Sequence, residues 1–297
     1  MSRRGWILFL LLCAIWGLPY LMIRIAVREI DPATLVFLRT APVALVLLPW
    51  AAWTGRLGPL RKVFGWLALY SVCEFGIPWL LMGSAEKHLT SSLTALLVAG
   101  VPMMGALLYR FTHIHEPIGA KRATGLVIGT LGVAALVGLS IEGSTWVGIA
   151  EMVPTVLGYT LGPLIIATRL KDMPGLGVVG ASVGLVALAY LPYGVTNLPS
   201  HVSISALGAV CVLAVVCTGA GFLTFFALIL EVGPSRATVV TYVNPAVAIA
   251  LGVALLGEPL TLGMVLGFPM IVLGSILATS RTSLAEDRAN TDRSPIP

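Results

Sequence analysis

The feature that most restricts this chain is a series of apolar runs. Each is about as long as a helix must be to cross a bilayer core of about 30 Å. Ten of them cover roughly residues 5–27, 33–53, 63–84, 90–111, 121–140, 145–168, 175–197, 203–230, 235–256 and 261–279. None alternates with period two, so each reads as helix, and inside lipid a helix satisfies its own backbone groups. Turn and stop signals separate the runs: Asp31-Pro32, Gly55 to Pro59, Glu116-Pro117, Pro174-Gly175, Gly233-Pro234 and Glu258-Pro259. Only 10% of the residues are charged, against about 25% in a soluble domain. The expected fold class is therefore all-α integral membrane, with ten transmembrane helices.

The net charge of +5 does not point to nucleic acid. The basic residues lie between apolar runs and form no stripe, so membrane topology accounts for them. With the N-terminus inside, Arg3, Arg4, Arg56, Arg61, Lys62, Arg110, Lys121, Arg122, Arg169, Lys171, Arg236, Arg281, Arg288 and Arg293 fall on the inner side. Only Arg24, Arg28 and Lys87 fall outside, and Arg39 lies within the second run. Both termini are expected in the cytoplasm of a multi-pass protein of the cell (inner) membrane. The first run continues past Trp16 to about Val27 with no small-residue cleavage site, so it reads as an uncleaved span. The tail after Ser280 is polar and expected to be disordered. Cys13, Cys73, Cys211 and Cys217 all lie in apolar runs without CxxC spacing. Neither a disulfide, a metal site nor a cofactor is expected from them.

The chain also repeats itself. "SLTALLVAGVP", Ser92 to Pro102, matches "SRATVVTYVNP", Ser235 to Pro245, with Ser and Pro ten residues apart in both. Each copy continues into Glu-Pro, at Glu116-Pro117 and Glu258-Pro259, and from each Glu a glycine follows at the same two distances (Gly125 and Gly132, Gly267 and Gly274). The reading is two five-span repeats, 1–140 and 141–279, followed by the tail 280–297. Five is odd, so the second copy enters the membrane inverted. Inverted repeats mark transporter folds with sites near the midplane between the halves.

These motifs carry a resemblance. The chain resembles the EamA-like family of ten-span carriers in the drug/metabolite transporter superfamily. The carrying residues are Trp16-Gly17 with Arg24 behind it, Pro32 with Arg39 seven residues later, and the two Glu-Pro endings. The most specific piece is "TYVNPAVAIALGVALLGEPLTLGMVLGFPMIVLG", Thr241 to Gly274. The resemblance spans roughly 5–279. It implies export of amino acids, other metabolites or drugs by alternating access.

Polar residues inside spans are costly and rank first as site candidates. Glu74 is the most central. Its helical neighbours Tyr70 and Ser71 offer hydroxyls, and Pro78 can open the helix locally. It reads as a proton site or a contact for a substrate amine, or alternatively as a protonated, hydrogen-bonded packing residue. The Ser92/Ser235 offset places Cys217 opposite Glu74, so the second copy lacks this carboxylate. Arg39 is a contact for an anionic group or a carboxylate, or alternatively a paired structural arginine. Arg24 matches a position that the resemblance implies is held by Lys or Arg and reads rather as an interfacial residue; Glu151, about a turn into span six, reads equally well as one. Trp16, Tyr20, Trp79, Tyr159 and Tyr242 are candidates for lining a cavity, against interfacial belt positions. Asn244-Pro245 and Pro102 are expected to interrupt corresponding spans four and nine, as gating or binding points or as packing kinks. The pairs Gly125/Gly129 and Gly263/Gly267 permit close helix approach. "HIHEP", His113 to Pro117, has metal-like residue types, but its Glu recurs at Glu258 without histidines, so a helix-terminus role is expected.

The partners expected are a small-molecule substrate, the bilayer and protons as coupling ion. An intramembrane enzyme would need a nucleophile–base pair or paired carboxylates, and no such motif occurs. A non-transporting accessory subunit is the other alternative.

Overall fold

The first two helices begin where the sequence supplies a cap. Ser2 accepts a hydrogen bond from the Gly5 amide at 2.9 Å and opens α1 (Arg3–Ala26). Asp31 accepts from the Ala33 amide at 2.9 Å and opens α2 (Pro32–Trp53), with Pro32 in the first turn, where no N–H is needed. The computed structural model describes residues 2–108, 120–138, 145–232 and 240–279. Among these the fold is all-helical, with no strand.

The third run is composite. A 3-10 turn (Gly58–Val63) leads into α3 (Phe64–Ser71), a π-helical turn (Val72–Gly76) and α4 (Ile77–Ala85). The fourth run is broken: α5 (Ser91–Val98) and α6 (Val101–Leu108) flank a turn at Ala99-Gly100. Then follow α7 (Ala120–Gly138), α8 (Thr145–Ile165) with a π-helical end (Ile166–Leu170), and α9 (Gly175–Thr196). The eighth run is α10 (Ile204–Cys211), a π-helical stretch (Val212–Ala220) and α11 (Gly221–Val232). The last two are α12 (Val240–Leu256) and α13 (Leu262–Thr279). Six helical stretches among the described residues are long and apolar enough to cross a membrane, and four shorter apolar helices accompany them.

The helices are dressed for lipid. Large apolar side chains face outward, such as Trp53 (89% exposed), Ile204 (90%) and Leu45 (76%), as no water-facing surface would carry them in such number. Buried hydroxyls bond back to their own helix. Ser71 donates to the Leu67 carbonyl, Thr40 to Val36 and Thr160 to Val156, each at 2.7 Å. Such bonds satisfy a hydroxyl without water.

The chain divides into two compact units, one from residues 1–98 and 141–260 and the other from 99–140 and 261–297. Neither coincides with a sequence half. In the larger unit, α2 packs along α9 through Val43, Ala44, Leu47 and Ala51 against Leu176, Val179, Val183 and Ala187. The helix α1 packs on α11 and α12 through Phe9, Leu12 and Cys13 against Leu228 and Val240. The α8 helix lies against α4 and the π turn before it. In the smaller unit, α7 and α13 meet backbone to backbone. A methyl group at Gly274 would lie 2.7 Å from the Gly125 carbonyl, and one at Gly267 2.8 Å from that of Gly132. The expected small-residue contact thus forms between α7 and α13, with Gly125, Gly129 and Gly267 in it.

Two expected interruptions come out differently. Span four breaks at Ala99-Gly100, and Pro102 stands in the first turn of α6, where its missing N–H costs nothing. Pro245 lies inside α12, which runs unbroken through it; prolines inside buried spans are tolerated when neighbouring groups satisfy the freed carbonyl. The loop holding His113 to Pro117, the Ser235 end of span nine and the tail lie outside the described residues.

Candidate functional site

Arg39 stands two turns into α2 and is buried, 5% exposed. A buried guanidinium needs partners. Its Nε donates to Thr218 Oγ1 at 3.0 Å, and its Cζ lies 3.5 Å from the centre of the Trp79 ring. Thr218 in turn donates to the Leu213 carbonyl at 2.9 Å, five residues back along the π-helical stretch. Arg39 forms no ion pair within the described residues. Hydrogen bonding and a cation–π contact hold it. Tyr20, Tyr159 and Glu86 lie within electrostatic reach of it.

An aromatic chain extends from Trp79. Phe75 meets Trp79 at 5.0 Å, Tyr70 at 5.5 Å and Phe222 at 5.4 Å between ring centres. Phe222 meets Trp16 at 5.5 Å, and Trp16 meets Phe225 at 4.9 Å. The Trp16 indole donates to the Cys217 carbonyl at 3.3 Å, and the Tyr159 hydroxyl lies near the Trp79 indole. The structure thus brings together Arg39, Trp16, Tyr20, Tyr70, Trp79 and Tyr159 of the expected residues. Tyr242 and the buried Asn244 stand on α12, which packs on α1 where Gly17 meets Val247.

Glu74 sits in the π-helical turn. The Ile77 amide bonds to the Val72 carbonyl, five residues back. Pro78 accounts for this: it has no N–H for the Glu74 carbonyl, and its ring crowds that carbonyl. Tyr190 adds a donor, with its hydroxyl 3.1 Å from the Gly76 carbonyl. The Ser71 hydroxyl, expected as a partner for the carboxylate, is spent on the Leu67 carbonyl. Glu74 Oε2 is enclosed and has no hydrogen-bond partner among the described residues. It packs on Gly162 of α8 so closely that any Cβ there would collide with the carboxyl group. Tyr70, Cys73 and Tyr159 lie within electrostatic reach of Glu74. Pro78 itself packs on Gly158, one turn before Gly162.

Three further acidic residues have defined places; of these a helix-terminus role was expected for Glu258 and an interfacial one for Glu151, and nothing was expected of Glu86. Glu86 follows α4, is fully buried, and neither carboxylate oxygen has a hydrogen-bond partner among the described residues. Its backbone carbonyl accepts from Arg24 Nη1, so Arg24 caps the end of α4. Glu258 is saturated: Oε1 accepts from the Ser91 amide and hydroxyl at 2.8 and 2.9 Å, and Oε2 from the Ser92 amide and hydroxyl at 3.0 and 2.6 Å. A carboxylate at the start of α5 also meets the positive end of the helix dipole. Glu151 accepts from the Ser84 hydroxyl at 2.6 Å. Glu86 was hidden because it reads as part of a short polar connection, "AEKH", and only the packing of other spans over it makes it buried. Thr218, Phe75 and Phe222 look like ordinary span residues. Their signal was the repeat offset: 143 residues separate Ser92 from Ser235, and the same step links Phe75 to Thr218 and Trp79 to Phe222.

A multi-pass helical bundle with a buried cation, a buried carboxylate and aromatic lining defines a membrane protein that handles solutes within its spans. The chain belongs to the EamA-like transporter family, which matches it twice, over residues 3–138 and 146–280. It is 29% identical over 276 residues to the uncharacterized inner membrane transporter YedA of Escherichia coli (strain K12), covering 89% of this chain and 87% of that one. It is 24% identical over 296 residues to a Salmonella typhimurium protein described as a "probable amino-acid metabolite efflux pump", covering 93% and 94% of the two chains. A solved crystal structure at 19% identity shares the fold, with a TM-score of 0.65 over 94% of this chain and 98% of the other. The protein is a multi-pass membrane transporter.

Proposed function

We propose that the protein is a ten-span secondary carrier of the inner membrane, exporting a small metabolite, amino acid or drug by alternating access. Its two five-helix repeats are inverted relative to each other, and both termini are cytoplasmic. The observation that carries this reading is the buried Arg39, held by Trp79 and by Thr218 of the other sequence half, at the head of the aromatic chain. Glu74 supplies the proton-binding carboxyl, with one oxygen free of hydrogen bonds, beside two tyrosines.

The repeat has support in contacts as well as in sequence. Advancing by 143 residues takes Trp16 to Tyr159, Trp79 to Phe222 and Glu74 to Cys217. Trp16 meets Phe222 and the Cys217 carbonyl; Tyr159 meets Trp79 and lies within reach of Glu74. The same step takes Ile15 to Gly158 and Pro78 to Gly221, and Ile15 packs on Gly221 as Gly158 packs on Pro78. The π turn at Val72–Gly76 falls by this step inside the π-helical stretch Val212–Ala220. Two halves built alike can exchange conformations and open one site to each side in turn.

The test is flux in proteoliposomes. An imposed pH gradient should drive solute flux in the wild type, and Glu74→Gln should abolish the response to pH while leaving the protein folded. Gradient-driven flux of unchanged size in Glu74→Gln would exclude Glu74 as the proton site.

A further inference from the structure

The connection after α12 is exposed at Gly257, Pro259 and Leu260, yet Glu258 within it is buried. Four donors converge on its carboxylate, the amide and hydroxyl of Ser91 on Oε1 and those of Ser92 on Oε2. The chain is shaped to deliver it. Gly257 takes the left-handed conformation, φ 65°, which a glycine adopts without a steric penalty. The turn brings the Glu258 amide back to the Gly252 carbonyl of α12 at 3.1 Å. Gly252 leaves room for the carboxylate: a methyl group there would collide with it and would lie 2.6 and 2.9 Å from the Ser92 and Ser91 hydroxyls. Hydrogen bonds to an ionised acceptor are about twice as strong as neutral ones, so this is a strong, buried contact.

The contact joins the two sequence halves. Ser91 and Ser92 begin α5, the start of span four; Glu258 follows α12, span nine, its counterpart in the repeat; and α5 packs on α12. In the topology proposed above, the connections after spans one, three, five, seven and nine share one membrane face. Further polar contacts join these connections or the span ends beside them: Arg24 to the Glu86 carbonyl, Lys87 to Asp31 at 4.0 Å, Ser84 to Glu151 at 2.6 Å and the Ser203 amide to Glu29 at 2.7 Å. These are part-buried or exposed, and the grip of Glu258 on the serines is buried. In sequence, the 143-residue step takes Ser91 and Ser92 to Pro234 and Ser235. Proline has no amide N–H and no hydroxyl, so the second copy does not offer the same four donors. An alternating-access carrier parts its halves on whichever face opens, and on this face the Glu258 grip spans them.

We propose that Glu258 is a positioning residue for transport: its grip on Ser91 and Ser92 latches this face of the carrier shut, and its release opens the solute path there. The latch rests on the carrier reading and adds the contact that sets which face is closed. A helix cap would hold α5 in every state; a latch is made in one state and broken in the other. Two variants weaken it by different routes. Glu258→Gln replaces one acceptor oxygen by an NH2 group, which cannot accept from the two donors that meet it. Ser91→Ala with Ser92→Ala removes both hydroxyls and keeps both amides.

The experiment watches this face directly and needs no solute. The four native cysteines are replaced by alanine in the full chain, and spin labels are attached at the exposed positions His88→Cys and Leu260→Cys. Their separation is read by double electron–electron resonance in lipid nanodiscs. With Glu258 and both serines present, one short distance should dominate. The serine variant should add a second, longer distance. Glu258→Gln should raise the ratio of long to short by about tenfold or more, the scale of one hydrogen bond to a charged group. A cap with no gating role would lower the melting temperature and leave a single distance. That result in the folded serine variant overturns the latch and leaves the carrier reading standing, because flux in proteoliposomes judges that reading separately. A second distance, together with wild-type vesicles that carry no member of a metabolite panel, overturns the carrier reading and with it the role of the latch in transport. The serine variant keeps both amide bonds to Glu258, so poor folding of Glu258→Gln would not shield the proposal.

Discussion

Arg39 shows how a single charge can be kept inside a lipid-facing bundle. Its guanidinium is shared between a hydroxyl and an aromatic face. Each is a weaker partner than a carboxylate, and together they leave its charge available. Thr218→Val, close to isosteric, removes the hydroxyl and leaves a buried donor unpaired, at a cost of about 1–3 kcal/mol. Its melting temperature in detergent should fall, and a Thr218→Ser variant should recover most of the loss. Gly162 makes a second prediction at this scale. Gly162→Ala places a methyl group against the Glu74 carboxyl, and overpacking of this kind costs about 1–3 kcal/mol. In a Glu74→Ala background the same change should cost much less. Equal costs in both backgrounds would show that Gly162 is not matched to Glu74. Little of this was legible beforehand. Arg39 and Glu74 stood out as charges in apolar runs, but Thr218 and Gly162 carry no charge and announce nothing until α8 and the π-helical stretch Val212–Ala220 are placed beside them.

At the level of elements, the apolar runs and their stop signals located the helices closely. The second run, read as 33–53, is Pro32–Trp53, and the seventh, read as 175–197, is Gly175–Thr196. The start signals explain this: the Asp31 side chain caps the second run, and Pro174, which cannot continue a helix before it, stands at the start of the seventh. The internal geometry was legible only where proline marks it. Pro78 foretells the π turn at Val72–Gly76, whereas the π-helical stretch Val212–Ala220 contains no proline and has only Thr218 and Gly219 to mark it. Pro78→Ala restores the missing N–H and should regularise the turn that presents Glu74. The expected result is unchanged or higher thermal stability with slower flux; equal flux would show that the π turn is incidental. A second prediction concerns the start of α10. The Ser203 amide and hydroxyl donate to the Glu29 carboxylate at 2.7 and 2.5 Å. These bonds hold Glu29 below the usual carboxylate range. The contact therefore stabilises the fold above the ordinary carboxylate pKa and is lost as pH falls through the lowered value. Amide exchange at the first turn of α10 should accelerate on acidification in the wild type and show no such step in Glu29→Gln.

For the whole molecule, the sequence carried the class without ambiguity, since no other class needs so many apolar runs with so few charges between them. It also carried the repeat, because matched spacing survives where residue identity has drifted. It also showed where the halves differ. Glu74 faces Cys217 across the repeat, and Trp79 faces Phe222. The first half thus carries a carboxyl and an indole where the second carries a thiol and a phenyl ring. The measurement that tests the account most directly is counterflow. Proteoliposomes preloaded with unlabelled leucine are diluted into a trace of labelled leucine. An alternating-access carrier takes up label transiently above equilibrium, and Arg39→Ala should remove the overshoot. Uptake no faster than in protein-free vesicles for leucine and for every other member of a panel of amino acids, metabolites and drugs, with or without preloading, would contradict the account.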